Sequence, residues 1–445
     1  MSNVQAAVER VLPSVRSDLE KLVRIRSVSA DPAAAADVRG SAEAVAELAR
    51  GVGAADVEIL SVDGGAPAVI ARWPALAGAP TVLLYAHHDV QPTGEPAAWT
   101  SPPFEPAERA GRLYARGAAD DKAGVMAHFA ALRAYDGRPP VGVTLFVEGE
   151  EEIGSPTFPA FLAAHGDKLA ADVIVVADSV NWTIETPSLA TSLRGLVDCE
   201  VEVRVLDHAV HSGMFGGPVL DALTSLCRLL ATLHDDKGDV AVAGLVHREH
   251  AEVDYPESRF RAEAGVLGGV ELSGSGSIGD RMWNRPAVSV VGLDATRVAD
   301  AANALVPVAR AKVSMRIAPG ENPRRALDTL TEHLRSHAEH GAVVTVIDGA
   351  VGPPCELETS KPGFGAARAA FTEAFGQPPV EVGLGGTIPF IAEFATAYPD
   401  AAVLVTGVED PDSRAHGIDE SLHLGQFAKV CLAEALLLER LSRSR

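Results

Sequence analysis

Four short runs, Thr81–Ala86 (TVLLYA), Val141–Val147 (VGVTLFV), Asp172–Ala177 (DVIVVA) and Ala401–Thr406 (AAVLVT), are aliphatic or β-branched almost throughout. A strand that is apolar on both faces has to be covered on both. That requirement suits a largely parallel sheet lying between helices. Between the first two runs, Val125, Phe129 and Leu132 recur at helical spacing over Lys122–Tyr135, and Asp136-Gly137 closes the pattern. A last helix, Leu424–Leu441, follows the fourth run. The pattern predicts an α/β domain with a mostly parallel sheet flanked by helices, whose final elements return after a long gap.

The gap has a different texture. Val197–Val205 (VDCEVEVRV) and Val308–Ile317 (VARAKVSMRI) alternate apolar with charged residues, as half-exposed strands of an antiparallel sheet do. Helical patterns at Val219–Leu233 and Pro323–His340 and a strand at Val343–Ile347 accompany them. These predict an inserted α+β domain over 196–352, leaving 1–195 and 353–445 as the two parts of the α/β domain. A chain of 445 residues suits such a division.

Composition removes several classes of function. The formal net charge of −22 repels nucleic-acid phosphates and anionic membrane surfaces. The four cysteines, Cys199, Cys227, Cys355 and Cys431, form no CxxC pair and read as reduced thiols. The first 23 residues mix charges with apolar residues at helical spacing, unlike a signal peptide. No stretch approaches the roughly 18–20 apolar residues that span a bilayer. These features predict a cytoplasmic protein with no nucleic-acid or membrane partner.

Metal-binding side chains follow the apolar runs. His87 and Asp89 follow the first, and His88 alternates to the other side of the backbone. A ligating imidazole needs its second ring nitrogen held, a task open to Asp89. Asp120 and Asp121 precede a helix, where one carboxylate suffices as a cap and the other is free to bridge cations. Glu148, Glu150, Glu151 and Glu152 crowd the end of the second run, a costly arrangement without a cation. Asp178 ends the third, and His416 stands in Ala415-His416-Gly417 far downstream. Parallel strands would deliver these groups to one sheet edge. Gly274–Gly279 (GSGSIG) fits GxGxxG, but no strand precedes it and Pro286 soon interrupts any helix, so it reads as a loop. No GxSxG, HExxH or Walker sequence occurs.

HHDVQP (His87–Pro92), RGAADDKAG (Arg116–Gly124), EGEEEIGSP (Glu148–Pro156), HSGMFGG (His211–Gly217) and GGTIP (Gly385–Pro389) resemble the M20 metallopeptidases, nearest the cytosolic dipeptidase and carnosinase-like branch. The resemblance implies hydrolysis of dipeptides at two divalent metal ions, zinc first, with manganese or cobalt also suited. It implies His87, Asp120 and Asp178 on one metal and Asp120, Glu152 and His416 on the other, with Asp120 the bridge and a cis peptide at Asp120–Asp121. Glu151 matches the general base that activates a water between the metals, and Asp89 matches a supporting residue. In the inserted lid and dimerisation domain, His211 matches a histidine that reaches across a homodimer to the oxyanion. Arg316 matches the clamp on the carboxylate of a small peptide substrate. Gly385, Gly386 and Thr387 match a loop of backbone donors to that carboxylate, and Asn303 is a weaker match because its downstream proline is spaced differently. An N-acyl amino acid deacylase or carboxypeptidase of the same fold is the alternative.

Overall fold

The computed structural model describes residues 3–249, 251–386 and 389–443. Thr387 therefore lies outside the described residues. Internal contacts divide the chain into two units. One comprises the chain up to Thr191, Leu357–Glu381 and the chain from Pro389 onward; the other comprises Ser192–Glu356 with the segment from Val382 to Gly386.

In the first unit one sheet orders its strands as Asp56–Leu60, Ala68–Trp73, Gly142–Glu148, Thr81–His87, Val173–Val176, Ala402–Val405 and Ser188–Leu193. The strands from Gly142–Glu148 to Ala402–Val405 run parallel, and the flanking ones are antiparallel. Val173–Val176 and Ala402–Val405 are buried at every residue, as two covered faces require. Register aligns the strand ends: His87 lies beside Glu148, Tyr85 beside Val176 and Val405 beside Val176. The four following loops thus start from one level.

Helix Lys122–Ala134 is buried at every position except Arg133, so it sits inside the unit rather than on it. It packs against Asn3–Val23 and Leu424–Leu441. His128 Nδ1 lies 2.7 Å from Glu434 Oε1 on the latter helix. Its Nε2 is 2.9 Å from the Tyr85 carbonyl on the strand below. Beneath the sheet, Tyr85 stacks on Phe390 with centroids 3.9 Å apart, and Phe394 meets both Tyr85 and Phe158 edge-on. Lys122 is fully buried and donates to the carbonyls of Leu22 and Ile25, tying down the end of the first helix.

The second unit is an antiparallel sheet ordered Ala287–Asp294, Val308–Ile317, Gly195–Arg204 and Val343–Gly352. Helices Ala222–Ala231 and Pro323–Ser336 supply Leu226, Leu229, Ala326, Leu327, Leu330 and Leu334 to a core with Val197, Cys199, Val201, Val203, Val313 and Met315. Truncating one such leucine to alanine costs about 2–5 kcal/mol. Glu200, Glu202, Arg310 and Lys312 occupy the alternate positions of the strands.

Both helices are shorter than their apolar periodicity predicts. Asp221 caps the first by accepting from Leu223 and Thr224 N–H, so the chain before it is not helical. The second stops at Ser336, and His340 and Gly341 then take positive φ of 52° and 72°. Segment 382–386 also departs from expectation, since it clusters with the inserted unit rather than with 353–445. Arg194 accounts for this: its N–H donates to the Leu384 carbonyl (3.0 Å) and its Nε to the Gly385 carbonyl (3.2 Å). In GSGSIG, Arg281 and Arg285 draw in the carbonyls of Ser273, Gly274 and Ser275. A phosphate-binding loop presents N–H groups instead, so this one serves the fold.

Candidate metal centre

His87 is the last residue of its strand and is wholly buried. Its Nδ1 lies 3.1 Å from the Asp89 carbonyl oxygen and 3.3 Å from the Asp89 carboxylate. A proton on Nδ1 shared with that carbonyl leaves the Nε2 lone pair free, the tautomer a metal ligand needs. His88 points away, its Nε2 2.8 Å from the Pro67 carbonyl, and burial lowers its pKa to about 4. Asp89 Oδ2 accepts the Glu152 N–H (3.1 Å), which ties the first motif to the glutamate turn.

The two aspartates divide their work. Asp121 caps the next helix through Gly124 N–H and accepts the His87 N–H at 3.2 Å. The Asp120–Asp121 peptide is cis. Asp120 turns its oxygens in two directions: Oδ1 is 3.1 Å from His87 Nε2, and Oδ2 is 3.0 Å from His416 Nε2. Glu151 Oε2 and Asp178 Oδ1 each stand 3.9 Å from His87 Nε2. Glu152 Oε2 is 3.1 Å from His416 Nε2 yet has no hydrogen bond of acceptable geometry, although it is buried. Donor atoms at such close approach are what two ligands of one cation require. His87, Glu151 and Asp178 form one group able to hold a cation, His87, Asp120 and Glu152 a second, and Asp120, Asp178 and Glu409 a third, with donors within 4.8 Å of one another.

Electrostatics agree. Burial, then the charge of Asp178, pushes Glu151 well above the ordinary carboxylate range. Burial and the charges of Asp120 and Glu152 raise Asp178 to about 7. Burial raises Glu152 too, with Asp120 adding to it. The carboxylates of Asp120 and Glu152 beside His416 raise its pKa to about 11. Acids forced to keep protons, beside histidines forced to hold extra ones, mark an excess of negative charge that divalent cations would neutralise. Mixed imidazole and carboxylate donors fit zinc, manganese or cobalt.

The remaining sequence-derived residues lie in the inserted unit. His211 pairs with Ala304 on a two-residue strand, and Ser212 N–H donates to the Asn303 carbonyl, so His211 and Asn303 are neighbours. His211 Nδ1 accepts the Gly213 N–H at 3.1 Å, which leaves Nε2 as the protonated, donating nitrogen of an exposed ring. Arg316, half-buried on Val308–Ile317, has its pKa lowered by burial. It lies near enough to Arg194 that burial and the Arg316 charge together lower Arg194 to about 10. Arg194 donates to the carbonyls of Gly385, Arg281 and Arg285, so it holds the loop that carries Gly385.

Sequence reasoning missed four participants. Glu409 contributes a buried carboxylate beside Asp120 and Asp178. It follows strand Ala402–Val405 by four residues, so the rule that found Glu151 had it within reach. Arg194 acts through backbone carbonyls, which no side-chain pattern records. Arg116 and Glu420 form a buried ion pair 304 residues apart in sequence.

Residues 83–440 match Peptidase family M20/M25/M40. The chain is 35% identical over 367 residues to a cysteinylglycine-S-conjugate dipeptidase of Corynebacterium striatum, covering 81% of each. It is 27% identical to a rat Beta-Ala-His dipeptidase, covering 77% of this chain and 73% of that one. In fold it is similar to the di-peptidase Dug1p of Saccharomyces cerevisiae, with a TM-score of 0.84 at 22% identity over 100% of this chain and 98% of the other.

Proposed function

The chain belongs to peptidase family M20/M25/M40, and on that premise we propose that it hydrolyses the peptide bond of dipeptides at a pair of divalent cations. The observation that carries the two-cation reading is Asp120, whose two oxygens serve different histidines. His87, Asp120 and Asp178 would hold one ion, and Asp120, Glu152 and His416 the other, with zinc the first choice. When bound, such ions would supply positive charge to the scissile carbonyl and make the attacking water easier to deprotonate.

The chain's own groups do the rest. Glu151, close to His87 but outside both assigned ligand sets, takes the proton of the attacking water and passes it to the leaving amine. Asp89 orients His87 and the Glu152 turn. In the inserted domain, His211 offers Nε2–H to the developing oxyanion. Arg316 binds the substrate's free carboxylate, supported by the N–H groups of Gly385, Gly386 and Thr387, while Asn303 holds the His211 segment. A cytoplasmic location is supported by four free thiols; recovery of the chain outside the cytosolic fraction of its cells would reverse it.

The test uses full-length protein stripped by chelation and reloaded with zinc, manganese or cobalt. A panel of free dipeptides and N-acetylated amino acids is then assayed with wild type and Glu151→Gln. Free dipeptides should be cleaved only after reloading. Glu151→Gln should retain metal and fold while losing at least about 100-fold in kcat. Preference for acylated substrates would move the reading to a deacylase, and wild-type turnover in the variant would remove Glu151 as base.

A further inference from the structure

Arg116 and Glu420 are the unusual investment of the first unit: a guanidinium 1% exposed against a carboxylate 0% exposed, with Arg116 Nη1 2.6 Å from Glu420 Oε2. Replacing such pairs by apolar side chains is often neutral for stability, so stability alone does not explain one. The other contacts give a reason. Glu420 accepts three consecutive-loop N–H groups: Gly117 on Oε2 at 3.0 Å, and Ala119 and Asp120 on Oε1 at 2.9 and 3.1 Å. Arg116 Nη2 donates to the carbonyls of Pro92 (3.2 Å) and Gly417 (3.1 Å). Pro92 lies three residues beyond Asp89, and Gly417 directly follows His416. One ion pair therefore joins the backbones of three loops that carry His87, Asp120 and His416.

We propose that the Arg116–Glu420 pair is a positioning device that sets the separation of Asp120 from His416, and through it the affinity for the cation those two residues share with Glu152. The proposal rests on the two-cation reading above. Arg116 and Glu420 touch neither substrate nor ion; they act through the backbone of the residues that do. Losing an outer partner of this kind typically costs roughly 10- to 100-fold in metal affinity.

The experiment is calorimetric titration of zinc into metal-free, full-length wild type, Glu420→Gln and Glu434→Gln, with folding followed by circular dichroism. Glu434→Gln removes a buried carboxylate that pairs with His128 rather than with the backbone of the three loops, and controls for general loosening. Glu420→Gln should weaken one of two zinc sites by roughly 10- to 100-fold, and Glu434→Gln should weaken neither. Two wild-type sites in a folded Glu420→Gln overturn the proposal, as does equal weakening in Glu434→Gln. A wild type that takes up no zinc fails the two-cation reading itself, a different result. If Glu420→Gln does not fold, Arg116→Lys decides, because an ammonium keeps the charge but lacks the planar fork that spans Glu420, Pro92 and Gly417. Weakened zinc binding there supports the proposal, and unchanged binding overturns it.

Discussion

Asp120 and Asp121 are chemically identical neighbours with different occupations, and the difference comes from what each oxygen can reach. Asp121 spends its carboxylate on two backbone N–H groups, while Asp120 turns one oxygen to each of two imidazoles. The sequence made the pair conspicuous but left open which member capped the helix; only the turn at the helix start separates them. The role proposed for Arg316 depends on shape as well as charge. A lysine keeps the positive charge but cannot form the paired contacts of a planar fork. Arg316→Lys should raise KM for dipeptides by about 10-fold or more, equivalent to roughly 1.4 kcal/mol, with a smaller change in kcat. Steady-state kinetics check this, and an unchanged KM would remove Arg316 from the carboxylate site.

At the scale of elements, helix Lys122–Ala134 links the core to the strand that ends in His87. His128 joins it to Glu434 on one side and to the Tyr85 carbonyl on the other. Burial lowers the His128 pKa, but the charge and hydrogen bond of Glu434 outweigh it and hold the pKa above the usual 6.5. The raised pKa contributes stability that is complete below the unfolded value near 6.5 and is lost as pH rises through the folded value. Glu434→Gln should therefore lower stability on the order of 3 kcal/mol at pH 6, with a smaller loss at pH 9. Thermal melts across that range test it, and a pH-independent difference would contradict it. The four buried strands and this helix were legible because their apolar periodicity is imposed by two covered faces. Asp56–Leu60 was not, since a half-buried edge strand carries weaker patterning, and neither was its buried neighbour Ala68–Trp73, whose short apolar run is broken by Arg72. Long-range partners such as Arg116 with Glu420 leave no local trace at all.

For the whole molecule, the inserted unit presents an exposed edge strand. Val290, Val291 and Leu293 on Ala287–Asp294 are each about half exposed, a surface that pairs readily with another strand. We propose that two copies of the chain associate along this edge. Sedimentation should find a dimer that Val291→Lys converts to a folded monomer; a monomeric wild type at assay concentration would end the proposal. Chain order has a separate outcome. His87, Asp120, Glu151, Glu152 and Asp178 all precede the inserted unit, whereas Glu409, His416 and Glu420 follow it. At about 5–20 residues per second, a ribosome needs on the order of 10–50 s to travel from Asp178 to His416. On the proposed ligand assignment, a nascent chain carries half a hydrolytic centre until His416 is made, by which time the inserted unit has been synthesised.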